Sequence, residues 1–193
     1  MRGQHPFKLG MLGGTLALLA GACLDNELEP TTVAGVKKVF IAQTRDFAPY
    51  QEWMEFKHDV ATEHGGLVGS MTTYVSEMPD TTTHEFAIGS MLVKSVKTPN
   101  SDALTIHAMS KRGSGFNAEG ARGWEYFELQ LNNKGVPYIL WRGEQPPSGE
   151  QYQALLGASK TDQPTTEGKC NDCHAAGKDG MLGDDIVELL DDP

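Results

Sequence analysis

The spacing of apolar residues along the chain changes from a helical period to a strand period. Over residues 46–64 the apolar positions recur every three or four residues, and charged residues fill the positions between them. The apolar positions are Phe47, Tyr50, Trp53, Met54, Phe56 and Val60. Asp46 is a suitable N-cap, and Gly65-Gly66 a suitable end. The pattern therefore predicts an amphipathic helix over residues 46–64, on which His58 and His64 are solvated histidines.

Five later stretches have the composition of strands. They are rich in Val, Ile, Thr, Met and aromatic residues and cover residues 67–76, 88–97, 104–112, 124–131 and 136–141. The last two predicted strands are joined by the turn sequence Asn132-Asn133-Lys134-Gly135, which predicts a hairpin. The connections are too short for crossover helices, so the sheet is predicted to be antiparallel.

Helical patterns return after the last predicted strand. Ser148 and Gln151 can form a capping box for a helix that carries Tyr152, Leu155 and Leu156. A short amphipathic helix is predicted over residues 185–190. The predicted fold class is therefore α+β, mainly an antiparallel β-sheet with a few helices.

The first 22 residues have the features of a secretion signal. Arg2 and Lys8 form a basic head, an apolar stretch covers residues 9–19, and small residues precede Cys23. The sequence "LAGAC" is similar to the bacterial lipoprotein cleavage box, in which the cysteine is lipidated. An ordinary secretory signal cut near Ala22 is the alternative. The apolar stretch is shorter than the roughly 20 residues that a spanning helix needs. We therefore predict a periplasmic protein that meets the membrane only through a lipid anchor at Cys23.

The rest of the chain divides into two parts. Residues 23–36 contain proline and are poor in large apolar residues, which is typical of a flexible tether. Residues 37–193 form a single predicted domain.

The exported chain is acidic. Removing residues 1–22 takes away two positive charges and no negative ones, so the formal net charge changes from -10 to -12. This charge argues against nucleic acid as a partner and suits a soluble basic redox partner protein. Whether the chain acts as a monomer or a homodimer is left open.

The five residues Cys170-Asn171-Asp172-Cys173-His174 form the pattern through which c-type haem is attached. In this pattern the two cysteines bond to the haem vinyl groups, and the histidine binds the iron from one side. A redox Cys-x-x-Cys or half of a zinc site is the alternative, but a zinc site needs further soft ligands and the chain has no second cysteine pair. The sequence therefore predicts one covalently bound haem c.

The position of this motif restricts the other side of the haem. Only 193 - 174 = 19 residues follow His174, and Met181 is the one methionine among them. Seven residues give Met181 little chance of reaching the opposite face of a porphyrin, so we predict that it is a packing residue. The distal face must then be built by residues earlier in the chain.

Over residues 45–180 the chain resembles the cytochrome P-460 family and the beta-type cytochromes c-prime that share its fold. The resemblance is carried by the strand "GSMLVK" at residues 89–94, by Trp124, Tyr126 and Phe127 in a later strand, and by the C-terminal Cys-x-x-Cys-His. It implies an antiparallel sheet with a few helices. In enzymes of the family the strand lysine is joined covalently to the haem edge, and the position that matches it here is Lys94.

Two side chains are candidates for the distal site. Alternation places Lys94 on the strand face of Leu92 and Val96, where burial would favour a neutral amine. The alternative is a lysine that extends to solvent at a sheet edge. The resemblance also implies a carboxylate on the next strand, but residues 103–118 contain no Asp or Glu. His107 is the polar candidate there, as a proton acceptor, or else a partly exposed sheet histidine.

The expected function is that of an exported monohaem c-type cytochrome. The resemblance implies redox turnover of a small nitrogen compound, by oxidation of hydroxylamine or nitric oxide, at an open distal haem site. The alternative is a haem protein that binds gases or carries electrons without turnover.

Overall fold

The computed structural model describes residues 38–64, 67–99, 104–113, 115–147, 170–182 and 186, with the backbone alone for residues 59–63. All of them belong to one compact unit, residues 37–193. The predicted signal peptide, the tether and the helix after Ser148 lie outside the described residues. Of the predicted C-terminal helix only Ile186 is described, and it is helical and buried.

The described part of the chain is built on one antiparallel sheet of six strands, which neighbour one another in chain order. The strands are β1 Met54–His64, β2 Leu67–Val75, β3 Met91–Lys97, β4 Leu104–Lys111, β5 Trp124–Leu131 and β6 Pro137–Gly143. This confirms the five predicted strands and their antiparallel pairing. Beside the sheet lie two short 3-10 helices, Thr44–Phe47 and Tyr50–Glu52, and the motif helix α1, Cys170–His174. Among the described helices, none is long and apolar enough to cross a membrane.

The predicted helix over residues 46–64 is wrong. Its first part is the pair of 3-10 helices, which bury Phe47 and Tyr50, and its second part is β1. Asp46 accepts a hydrogen bond from Gln43 N at 2.7 Å and does not cap a longer helix. Residues 54–64 also fit a period of two, and pairing with β2 gives their backbone a partner along the ladder. The tertiary pairing therefore overrides the local helical spacing.

Two strand boundaries differ from the prediction by two residues or more, and three others differ by one residue. β3 begins at Met91 rather than residue 88, because a turn precedes it, closed by the hydrogen bond from Ser90 N to Ala87 O at 3.0 Å. β6 extends beyond the predicted end to Gly143. The predicted hairpin between β5 and β6 is present, and Asn132 N donates to Val136 O across it at 3.0 Å.

Alternation gives the sheet two apolar faces. We name them the C-terminal face, defined by Val75, Leu92, Met109 and Tyr126, and the N-terminal face, defined by Val93, Ala108 and Phe127. The C-terminal face packs against Met181, Ile186 and Cys170. The N-terminal face packs against Ala42, Phe47 and Tyr50. The motif segment therefore lies on one side of the sheet, with the N-terminal segment on the other.

Candidate functional site

The motif helix is fixed to the connection between β4 and β5 by a pair of side-chain amides. Asn117 and Asn171 donate to one another's carbonyl oxygens, both at 2.7 Å. Ala121 N also donates to Asn171 Oδ1 at 3.2 Å. Asn171 is one of the two residues between the motif cysteines, so these bonds set the position of both thiols.

A second anchor lies just after the motif, at Asp179. Its carboxylate pairs with Lys111 of β4 and accepts from Phe86 N at 2.8 Å. Its backbone oxygen accepts from Trp124 Nε1 at 2.7 Å. The ion pair is nearly buried, because the side chains of Lys111 and Asp179 are only 11% and 9% exposed. The loop after His174 is therefore held against β4 and β5.

His174 is oriented by this loop. Its Nδ1 lies 2.6 Å from the carbonyl oxygen of Gly180, so Nδ1 carries the hydrogen and donates it. Within the described residues Nε2 has no hydrogen-bond partner. Burial lowers the pKa of His174, which favours the neutral imidazole. A buried neutral histidine with one nitrogen bonded to a carbonyl and the other unprotonated is the usual form of a metal-bound histidine.

One row of side chains crosses the sheet on the face that carries Tyr126, whose ring contacts His174. Strand register places Thr73, Lys94, His107, Glu128 and Trp141 side by side on β2 to β6. Lys94 therefore lies on the C-terminal face, as its predicted alternation requires. Burial lowers its pKa, and Nζ has no ion-pair or hydrogen-bond partner in the described ranges. Burial therefore shifts the amine towards its neutral form.

His107, the other predicted distal residue, is directly opposite Lys94. Its Nδ1 lies 3.2 Å from Nδ1 of His64, so one ring donates and the other accepts. Its Nε2 is fully buried and lacks a partner in the described part of the chain. Burial, with a smaller contribution from the Lys94 and His174 charges, lowers the pKa of His107 to about 4. His107 is therefore neutral at physiological pH.

His64 is not the solvated residue that the sequence predicted. It ends β1, which is an edge strand of the described sheet and pairs with β2. Its ring reaches His107 on β4 and lies 6.2 Å from the ring of His174. Burial lowers the pKa of His64 well below its usual value. A register shift between His58 and Thr62 bends the strand in this region. His58 is also half-buried, with Nε2 3.4 Å from Thr73 Oγ1.

Sequence reasoning missed three residues of this site. They are His64, Tyr126, whose ring centre lies 5.4 Å from that of His174, and Glu128, which accepts from Trp141 Nε1 at 3.0 Å. Burial raises the pKa of Tyr126, and its hydroxyl has no partner among the described residues. A period of two in residues 124–128 would have placed Tyr126 and Glu128 on one face.

Both motif cysteines are free thiols. Cys170 packs against the apolar cluster of the C-terminal face, and burial raises its pKa to about 11. Cys173 is exposed. The structure thus brings five predicted site residues to one side of the sheet: Lys94, His107, Cys170, Cys173 and His174. The sixth, Cys23, lies outside the described residues.

A c-type haem needs fewer iron ligands from the protein than a bare metal ion does. In the described part of the chain, no group of three or more His, Cys, Asp or Glu side chains could hold a metal ion. Haem iron takes four ligands from the porphyrin, so one histidine suffices on the protein side. The oriented His174 supplies that ligand, and the two free thiols match the attachment points of the haem vinyl groups. Two buried polar atoms, His107 Nε2 and Tyr126 Oη, lack partners among the described residues.

Comparison with family models, with curated proteins and with solved structures finds no match to this chain.

Proposed function

We propose that the protein is an exported monohaem c-type cytochrome of the cytochrome P-460 type. One observation carries this proposal: His174 directs Nδ1 to Gly180 O and leaves Nε2 unprotonated, on the side of the sheet that carries Lys94 and His107. In this proposal Cys170 and Cys173 hold the haem through thioether bonds, and His174 binds the iron. The haem supplies a site for a small nitrogen ligand and a path for electrons.

The first candidate activity is oxidation of a small nitrogen compound such as hydroxylamine or nitric oxide. Hydroxylamine must lose protons as it loses electrons, and His107 Nε2 is a buried nitrogen that can accept one. Lys94 stands beside it with an amine that no carboxylate pairs within the described ranges. The electrons then leave for a soluble redox partner, which the acidic chain favours if that partner is basic.

The second candidate is a haem protein that binds gases or carries electrons without turnover. It is favoured by the low basicity of His107, whose pKa is about 4, because a weak base takes a proton poorly near neutral pH. In either case we propose that the protein acts in the periplasm, attached to the membrane through lipidated Cys23.

The test is a turnover assay on the full exported chain, produced in a bacterium with cytochrome c maturation proteins. Hydroxylamine is added together with a one-electron acceptor dye, and dye reduction is followed by absorbance. Sustained reduction, many equivalents per haem, supports the oxidation. Reduction that stops at one equivalent per haem overturns it and leaves the second candidate.

A further inference from the structure

The rings of His64 and His174 are spaced like those of two histidines that bind one metal. Imidazole nitrogens bind metals at about 2.0 Å, so two imidazoles that share one metal through Nε2 have ring centres roughly 6 Å apart. The ring centres of His64 and His174 are 6.2 Å apart, and the ring planes are inclined at 76°. Neither ring is hydrogen-bonded through Nε2 to another described residue.

The hydrogen bonds of the two rings are alike. His174 is held through Nδ1 by Gly180 O at 2.6 Å, and His64 is held through Nδ1 by His107 Nδ1 at 3.2 Å. A metal-bound histidine almost always donates its other ring hydrogen to an acceptor, usually a carboxylate, a backbone carbonyl or water, which fixes the ring and strengthens the ligand. Each ring therefore has the partner that a ligating histidine needs.

We propose that His64 is the sixth ligand of the haem iron in the resting protein, positioned by its bond to His107. This inference rests on the proposed haem at His174. A small ligand must then displace His64 before it binds, so His64 limits access to the iron.

His107 has two proposed roles, to position His64 and to accept a proton, and each role needs a different arrangement of hydrogens on His64 and His107. When His64 binds iron, the hydrogen lies on His64 Nδ1 and His107 Nδ1 accepts it. When His64 is displaced, its Nε2 takes up a hydrogen and His107 Nε2 gives one up, so His107 Nδ1 can donate to His64 Nδ1 and the buried His107 Nε2 is free to accept a proton. His64 therefore links occupancy of the iron to the state of His107.

The test compares electron paramagnetic resonance and absorbance spectra of the ferric holoprotein and two variants. The parent should be low-spin and six-coordinate, and His64→Ala should be high-spin with unchanged haem content. His58→Ala is the matched control, a second histidine on β1 that is bonded to Thr73, and it should stay low-spin. If His64 occupies the iron nine-tenths of the time, its removal should tighten the apparent affinity for cyanide about tenfold.

A high-spin parent spectrum overturns the inference even if no variant folds. A low-spin spectrum that persists in His64→Ala, or is lost in His58→Ala alone, also overturns it. Haem content, measured separately as the pyridine haemochrome, distinguishes these results from failure of the proposed function. Absence of covalent haem defeats the proposed function, whereas covalent haem with a high-spin spectrum defeats only the role of His64.

Discussion

His174 Nδ1 lies 2.6 Å from the carbonyl oxygen of Gly180, six residues further along the chain. The contact depends on backbone that only glycine adopts readily, because Gly180 has φ +76°. A Cβ at this position would lie 2.8 Å from Trp124 Cδ1. The orientation of the candidate iron ligand is thus set by the conformation of a single glycine.

Gly180→Ala should lower both stability and haem content. Backbone strain alone costs about 1 to 2 kcal/mol, and the contact with Trp124 adds at least about 1 kcal/mol. The matched control is Gly135→Ala, which has the same strain at φ +75° but no atom within 4 Å of the new Cβ. Urea unfolding and haem absorbance per protein measure both effects. Equal losses in the two variants would show that the Trp124 contact and the His174 orientation are unimportant.

Asp179→Asn should destabilise the protein by about 3 to 5 kcal/mol, because it leaves Lys111 charged and nearly buried without its partner. Asp172→Asn is the control, since Asp172 is an exposed carboxylate in the motif itself. Urea midpoints of the two variants give the difference. A loss below about 1 kcal/mol for Asp179→Asn, as for a surface pair, would contradict the anchoring role of Asp179.

Lys94 should be joined to the haem edge if the protein oxidises hydroxylamine as the family resemblance implies. Tryptic mapping of the holoprotein should then fail to recover the free peptide that carries Lys94. The control is Lys134, an exposed lysine in the hairpin between β5 and β6, whose separate tryptic peptide should be recovered unmodified. Recovery of Lys94 in a free peptide at full yield would remove the main support for the turnover candidate.

His107→Ala should keep the haem and lower hydroxylamine oxidation at least about tenfold, because it removes the fixed proton acceptor. Thr105→Ala, on the same face of β4, is the control. Since the pKa of His107 is about 4, the parent rate should stay level from pH 6 to 8 and fall as the pH drops towards 4 and the ring becomes protonated. Parent-like activity in His107→Ala over that range would exclude His107 as the acceptor.

The sequence predicted those parts of the site that depend on strand alternation. Lys94 lies on the same face as Leu92 because residues two apart along a strand point the same way, and the register between β3 and β4 places His107 opposite Lys94. Met181 is a buried packing residue, as predicted. His64 was missed because residues 54–64 fit a period near 3.6 as well as a period of two. Only pairing with β2 decides between them.

The bonds that position the motif could not be predicted from local pattern. Asn117 and Asn171 are 54 residues apart, and Phe86 and Asp179 are 93 apart. Such contacts follow from how the motif segment packs on the sheet, which neither composition nor spacing specifies. The motif is a pattern of five adjacent residues and can be recognised from the sequence. Its orientation depends on contacts between residues that are far apart in the chain.

Covalent attachment of one haem is the central claim, and intact mass under denaturing conditions tests it most directly. The full chain should be produced with cytochrome c maturation proteins, alongside the double variant Cys170→Ala/Cys173→Ala. The parent should have the mass of the mature polypeptide plus one haem, with a matching pyridine haemochrome, and the double variant should have the polypeptide mass alone. A parent without added mass, or a double variant that retains covalent haem, would contradict the account.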